Sequence, residues 1–304
     1  MDILVIGSFM MDHIIKTPRA PIKGETIIGD SLKIMPGGKG INQAVAASRL
    51  GANVSMAGML GDDVHGKSFL KVLENENINS DNILINNKSS TGVGMVVNED
   101  DGDNRIIVIP GSNLEYNLDD LYKIRNEIKR SKILVLQLEM QLEVMEEAIN
   151  IAHDLSVPVV LNPAPAQKLS KELLSKVTYL TPNETELGIL TGDKIDSIDQ
   201  AYKSAKKLLD LGVNNVIVTL GDKGVIYLTE DERGYIEAQN VEAINTIAAG
   251  DSFNGALAYC LVNDKSLGES VEFANCVGAL TVTKDGAIPS LPYLEDVLEY
   301  ISKI

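Results

Sequence analysis

The sequence predicts an α/β fold: an open, mostly parallel sheet covered on both faces by helices. Three observations carry this. Short, fully apolar runs recur along the chain, the mark of strands buried on both faces. Between them lie stretches whose apolar residues repeat at helical spacing. Strand–helix alternation of this kind builds parallel sheets. With 304 residues and 44% hydrophobic content, the chain can enclose the core such a fold needs.

The elements follow in order. Residues 3–6 (ILVI) form the first strand, ended by Gly7-Ser8. The start, MDILVIG, has an acidic second residue and too short an apolar run for a secretory leader, which points to the cytoplasm. A helical run rich in alanine begins at Asn42. Residues 25–35 (ETIIGDSLKIM), 91–97 (TGVGMVV) and 105–110 (RIIVIP) are strand-like, the last two joined by the acidic turn NEDDGDN. They suit a small separate sheet, and a lid drawn from about 9–35 and 91–110 within a single domain, 1–304. LKVLENENI and KLLDLGVNN read as helix exits. Residues 133–138, 159–161 and 216–220 are further buried strands, with 225–228 a later partner. Residues 143–155 align Val144, Ala148, Ile151, Ala152 and Leu155 on one helical face. Residues 201–212 do the same with Ala201, Ala205, Leu208 and Leu209, and Gly212 reads as the C-cap. YLEDVLEYISKI reads as a closing helix.

Composition excludes several classes. No run of eighteen apolar residues exists, against a membrane span. The net charge of −16, from 43 acidic and 27 basic residues, argues against nonspecific nucleic-acid binding. A phosphate could still be held locally by backbone N–H groups and a lysine. Cys260 and Cys276 lie in apolar helical patterns and read as buried side chains, not a disulfide or zinc site.

Four strings carry chemistry. In PGGKGINQAVAASRLGA (36–52), Gly37, Gly38 and Gly40 permit close backbone approach to a ligand, and Asn42 offers a donor and an acceptor. The spacing is neither Walker A nor the dinucleotide fingerprint, and a plain turn before a helix is the bland alternative. In NTIAAGDSFNGALAYCL (245–261), small residues open a helix at Asp251. Its N–H groups would stabilise developing negative charge while Asp251 takes a hydroxyl proton, the set that phosphoryl transfer needs. An ordinary helix-start aspartate explains the same residue. In TPNETE (181–186), Asn183 and Glu186 could organise water around Mg²⁺ or form a simple capping box. TLGDKG (219–224) is a glycine turn after a buried strand, where nucleotides often lie, or a turn between two strands. A crevice at the carboxyl edge of one sheet would gather these strings.

Together they resemble the ribokinase family of sugar and nucleoside kinases over nearly the whole chain. GGKGINQAVAASRLGA is similar to the family's amino-terminal signature and NTIAAGD to its carboxyl-terminal one; NPAPA (162–166), TPNETE and TLGDKG resemble the ribokinase branch. The resemblance implies a three-layer α/β/α sandwich with a mostly parallel central sheet and a small β-sheet lid that also forms a homodimer contact. It implies transfer of the ATP γ-phosphoryl group to a sugar hydroxyl with Mg²⁺, and activation by K⁺. By motif, Asp251 corresponds to the catalytic base, with Ala249 and Gly250 lining the anion hole. Asp12, Gly38, Lys39, Gly40, Asn42 and Glu139 correspond to the sugar side. Asn183 and Glu186 correspond to the phosphate and magnesium face, Thr219, Gly221 and Gly224 to the nucleotide turn, and Asn275 to an adenine-side position. Asn245, Ile247, Thr281, Lys284, Gly286 and Ser290 match the monovalent-cation loop.

Two departures matter. The cation loop ordinarily begins with aspartate, and Asn245 stands here, which implies weaker or altered K⁺ dependence. GSFMMD has Met10 where ribokinases carry a sugar-facing asparagine. Methionine lacks an amide's hydrogen bonds and fills space against a bare methylene. The expectation is therefore a 2-deoxyribose kinase, with ribokinase the alternative and a nucleoside kinase a lesser one. A nicotinamide-dependent dehydrogenase lacks its GxGxxG. A nonenzymatic sugar sensor conflicts with the intact AAGD.

Overall fold

The computed structural model describes residues 1–101 and 103–303. Gly102, within the expected acidic turn, and Ile304, at the end of the expected closing helix, lie outside them. In chain order the first half comprises β1 (Ile3–Ile6), β2 (Met10–Thr17), β3 (Ser31–Gly37), α1 (Lys39–Arg49), β4 (Val54–Gly61), α2 (Val64–Asn75), β5 (Asn79–Asn86), β6 (Gly92–Glu99), β7 (Asn104–Ile109), α3 (Leu118–Lys123), α4 (Arg125–Arg130) and β8 (Ile133–Leu136). The second comprises α5 (Leu142–Asp154), β9 (Val159–Leu161), α6 (Lys171–Leu174), β10 (Tyr179–Leu180), α7 (Glu184–Thr191), α8 (Ile198–Asp210), β11 (Asn215–Thr219), β12 (Val225–Leu228), β13 (Arg233–Ile236), α9 (Ala249–Val262), α10 (Leu267–Thr281) and α11 (Leu294–Ile301).

Nine strands form one sheet in the order β13-β12-β11-β10-β9-β8-β1-β4-β5. It is parallel from β11 through β5 and antiparallel only at β11–β12–β13. Successive side chains of a strand alternate between faces, so Leu4 and Ile6 of β1 enter one core with α5 and α8 residues Val144, Ala148, Ala201 and Leu208. Ile3 and Val5 enter a second core with Val45, Phe253, Leu257 and Val277 of α1, α9 and α10. The result is a three-layer α/β/α sandwich. Cys260 and Cys276 are buried free thiols, each with its pKa pushed up by burial. Among the described residues no helix is long and apolar enough to cross a membrane.

A second sheet, β3-β2-β6-β7, grows from the carboxyl end of β1. Here several expectations need correction. The strand expected over 25–35 begins only at Ser31: Asp30 N–H still reaches the Lys16 carbonyl of β2 (2.8 Å), but the pairing register ends at Lys16 and Ser31, and Ile28 is 92% exposed. A strand starts at Met10, directly beyond the Gly7-Ser8 turn. The α1 helix begins at Lys39 rather than Asn42, since Asn42 N–H already bonds the Gly38 carbonyl. Strand β8 ends at Leu136, two residues early, where the chain turns toward the site. Gly212 follows α8 with φ +108°, as its C-cap expectation requires.

Candidate active site

The carboxyl ends of β1, β8, β9, β10 and β11 deliver Ser8, Glu139, Asn162, Thr181 and Leu220 to one edge of the sheet. Against that edge start α1 and α9. Close packing explains the glycines. A Cβ on Gly40 would overlap the backbone of Gly7 and Ser8, and one on Gly38 would lie 2.8 Å from the Met10 nitrogen. PGGKG and GSFMMD are thus two halves of one tight contact.

Neither α1 nor α9 has a side-chain N-cap, whereas α2, α7, α8 and α10 are capped by Asp63, Asn183, Ser197 and Ser266. Uncapped N–H groups at a helix start favour an anion. At α1, Lys39 N–H donates to Glu139 Oε2 (2.9 Å), which also accepts from the Ser8 hydroxyl (2.5 Å). At α9, Ala248 sits in the left-handed region (φ +62°), a conformation that costs a non-glycine residue about 1 kcal/mol or more. Ala249 and Gly250, expected to line an anion hole, open this helix. Ala249 N–H turns back to the Thr246 carbonyl (3.3 Å). Gly250 and Asp251 N–H have no backbone acceptor among the described residues.

Asp251 is buried, and both its oxygens are held: Asn42 Nδ2 donates to Oδ2 (2.9 Å) and Gln43 Nε2 to Oδ1 (3.1 Å). Asn42 Oδ1 is buried with no partner, an acceptor available to a hydroxyl donor. Asp12 lies between Gly37 and Gly94, either of which would overlap its carboxylate if it carried a Cβ. Burial, reinforced by the Glu139 charge, pushes the Asp12 pKa up to about 6. For Lys39, burial disfavours the ammonium, but the charges of Asp251, Glu139 and Glu186 outweigh it and hold its pKa above the ordinary lysine value. Burial raises the Glu186 pKa, opposed by the Asn183 N–H and the Lys39 charge. Lys39 thus lies in the field of Asp251, Glu139 and Glu186 without an ion pair to any of them among the described residues.

Asn183 and Glu186 form the reciprocal capping box of α7 (2.8 and 2.9 Å), so the capping reading of TPNETE is met. Asn183 bridges Thr219 in parallel, which lays TPNETE beside TLGDKG. Gly221 and Gly224 flank a 3₁₀ turn with φ +59° and +98°. Asn275 donates to the Glu237 carbonyl (2.8 Å) on the same side of the molecule as β13. No side-chain hydrogen bond joins these four nucleotide-side residues to Asp251 among the described residues.

The cation-loop positions come together through the backbone: Ile244 and Asn245 N–H both reach the Val282 carbonyl. Their side chains are occupied elsewhere. Thr281 Oγ1 bonds Ser252 Oγ (2.8 Å), Ser290 Oγ bonds the Ala287 carbonyl (2.7 Å), Lys284 faces Asp296 (3.9 Å), and Ile247 is exposed. Gly286 has φ +102°. Any cation here would rest on carbonyls. Among the described residues no three His, Cys, Asp or Glu side chains converge on a metal position. Glu186, with one oxygen held by the Asn183 N–H, is a carboxylate that could partner a Mg²⁺ brought in by nucleotide phosphates.

Gln43, Gln137, Asn162 and Ser8 escaped the sequence reading. Gln43 and Asn162 sat inside quoted strings, but an amide has no periodicity or spacing that announces a partner a hundred residues away.

The pfkB family carbohydrate kinase profile matches residues 1–294. Ribokinase of Haemophilus influenzae is 39% identical over 297 residues, covering 98% of this chain and 97% of the relative. Deoxyribokinase of Salmonella typhi is 38% identical over 303 residues, covering 99% of each. Arabidopsis thaliana ribokinase, solved with ribose and ATP, superposes with a TM-score of 0.91 at 32% identity, covering 98% of this chain and 97% of that one. The Thermotoga maritima ribokinase structure gives 0.91 at 34% identity, covering 99% of each. On a three-layer fold whose crevice holds a buried aspartate at an uncapped helix start, the chain belongs to the pfkB family of carbohydrate kinases, ATP-dependent phosphotransferases.

Proposed function

We propose that this kinase phosphorylates the 5-hydroxyl of a pentose and prefers 2-deoxy-D-ribose, giving 2-deoxy-D-ribose 5-phosphate and ADP. The observation that carries the preference is Met10. It is buried, and it stands two residues from Asp12 on β2, so the two side chains share a face. Both approach Gly94: Met10 Cγ lies 3.7 Å from the point a Cβ would occupy there, and Asp12 Oδ1 lies nearer. A ribose 2-hydroxyl set against the thioether would lose its partner at a cost of roughly 1–3 kcal/mol, a cost the deoxy sugar avoids. D-Ribose is the second reading, favoured by the number of relatives named ribokinase, among them those of Haemophilus influenzae and Bacillus subtilis.

In the mechanism, the small sheet serves as a lid over the sugar, excluding water. Asp12 and the unpartnered Asn42 Oδ1 accept from sugar hydroxyls, and Glu139, Gly38 and Gly40 shape the pocket floor. Asp251 accepts the proton of the 5-hydroxyl as that oxygen attacks the γ-phosphorus in line. The Gly250 and Asp251 N–H groups and the Lys39 ammonium face the charge on the transferring group. Mg²⁺, bound with the nucleotide, would supply further charge neutralisation near Glu186 and Asn183. Thr219, Gly221, Gly224 and Asn275 would border the nucleotide. The same reading includes a K⁺ site on the 245–247 and 281–290 carbonyls, a homodimer through the lid, and a cytoplasmic location, where ATP is available.

The test is the initial rate of ADP formation with ATP and Mg²⁺ over a concentration series of each sugar. A kcat/KM for 2-deoxy-D-ribose about tenfold or more above that for D-ribose supports the assignment. Equal or better use of ribose reassigns Met10 to packing and the chain to a ribokinase.

A further inference from the structure

Asp251 is the end of a buried chain of amides. Gln43 donates to Asp251 Oδ1 from a side chain with no solvent exposure. Turned over, the same amide would aim its oxygen at a carboxylate. Its neighbours decide the matter. Gln137 Nε2 donates to Gln43 Oε1 (2.7 Å), and Gln43 Nε2 also donates to Asn162 Oδ1 (3.2 Å). Asn162 is oriented in turn, because its Nδ2 donates to the Thr181 carbonyl (3.2 Å), a group that can only accept. The Thr181 hydroxyl donates to Asn254 Oδ1 (2.6 Å), and Asn254 Nδ2 donates to the Gly250 carbonyl (2.8 Å). The chain thus begins and ends on the first turns of α9. It passes through NPAPA and TPNETE, two strings whose leading residues otherwise have no assigned task.

We propose that Gln43 is a positioning residue for phosphoryl transfer: oriented by Gln137 and Asn162, it sets the rotation of the Asp251 carboxylate so that Oδ2 meets the incoming hydroxyl. The proposal rests on Asp251 being the base. Without Gln43, Asn42 alone holds the carboxylate, which can then pivot about that one bond. Misplacement of a reacting group by an ångström costs on the order of 100-fold in rate while leaving ground-state binding nearly intact. The other charges around Asp251 are those of Lys39 and Glu186, and neither touches Gln43 in a hydrogen bond.

The experiment compares wild type, Gln43→Met, Gln43→Glu and Asp251→Asn by kcat and KM for sugar and ATP over about pH 5 to 9, the span between ordinary carboxylate and lysine pKa values, with thermal melting of each. In Q43M the expected kcat is ~10–100-fold below wild type, with both KM values within about threefold. In Q43E a second carboxyl faces Asp251, so the acid limb of kcat moves to higher pH and activity partly recovers above it. A role in packing alone would lower the melting temperature of Q43M and leave its kcat near wild type. Q43E also keeps the acceptor for Gln137, so it carries the test if Q43M does not fold. Unchanged kcat and an unshifted limb in Q43E overturn the proposal, as does a loss expressed only in KM. If wild type is active, D251N is inactive and the Gln43 variants are normal, the positioning role falls and the base survives. If D251N turns over like wild type, both fall.

Discussion

Met10 and Asp12 divide the recognition of the sugar between shape and charge. Replacing Met10 with Asn restores an amide at the same point of β2. M10N is expected to move the ratio of kcat/KM toward ribose by about tenfold, read from paired sugar titrations; an unchanged ratio would place Met10 out of sugar contact. Asp12 supplies a pH signature. Its folded pKa of about 6 lies above the ordinary aspartate value of 3.8. As pH falls through about 6 the carboxylate gains a proton and loses acceptor capacity, so the sugar KM is expected to rise there while the ATP KM does not follow. Stability has the opposite sign. Below about pH 4 the group is neutral folded or unfolded and has no effect; between about 4 and 6 the unfolded chain ionises first, and above 6 the folded protein bears the full cost. D12N should therefore melt at or above wild type at pH 8 and lose that margin at pH 4, a comparison that scanning calorimetry makes directly. At this scale Asp251, the proposed base, and Lys39 were singled out from the small residues around them, whereas the charge influence of Glu186 on Lys39 was not, because it links residues on different helices.

At the scale of elements, the site is made by two helix starts and a loop. The loop is where Asn245 departs from the family. Its Oδ1 accepts from Ile247 N–H (2.9 Å), and its Nδ2 donates to Asp285 Oδ1 (2.9 Å), which an aspartate could not do. Asp285 also pairs with Lys33 of β3 (2.8 Å). The neutral amide thus uses both its donor and its acceptor within the loop. We expect weak KCl activation in wild type and a lower half-saturating KCl in N245D, where two adjacent carboxylates attract a monovalent cation; identical KCl curves would remove Asn245 from the cation effect. Helices α5 and α8 were legible because their apolar residues keep a strict period. Strands β4 and β5 and the start of β2 were not, since VSMAGMLG and MMDHIIKT mix small, polar and apolar residues with no clear period.

At the scale of the molecule, the small sheet leaves an apolar surface. Leu32 and Ile34 on edge strand β3 and all four of Ile106, Ile107, Val108 and Ile109 on edge strand β7 are exposed. Two open edges with apolar side chains invite a partner. The proposed homodimer would bury them. Ile34→Lys with Ile107→Glu is expected to give a monomer by light scattering, with the wild type at twice that mass. A monomeric wild type at micromolar concentration would sink the assignment.

The sequence by itself determined the class of fold and the family: short apolar runs alternating with helical periods become the buried strands of one mostly parallel sheet, and the glycine- and aspartate-rich strings carry the likeness to carbohydrate kinases. Only the tertiary structure decided the strand order, the register of the small sheet, and the partners of Asp251. Those depend on contacts between residues far apart in the chain. Gln43 meets Asp251 across 208 positions, and a hydrogen bond of that range has no local pattern to betray it. Packing of β1 against α1 and α9 creates it.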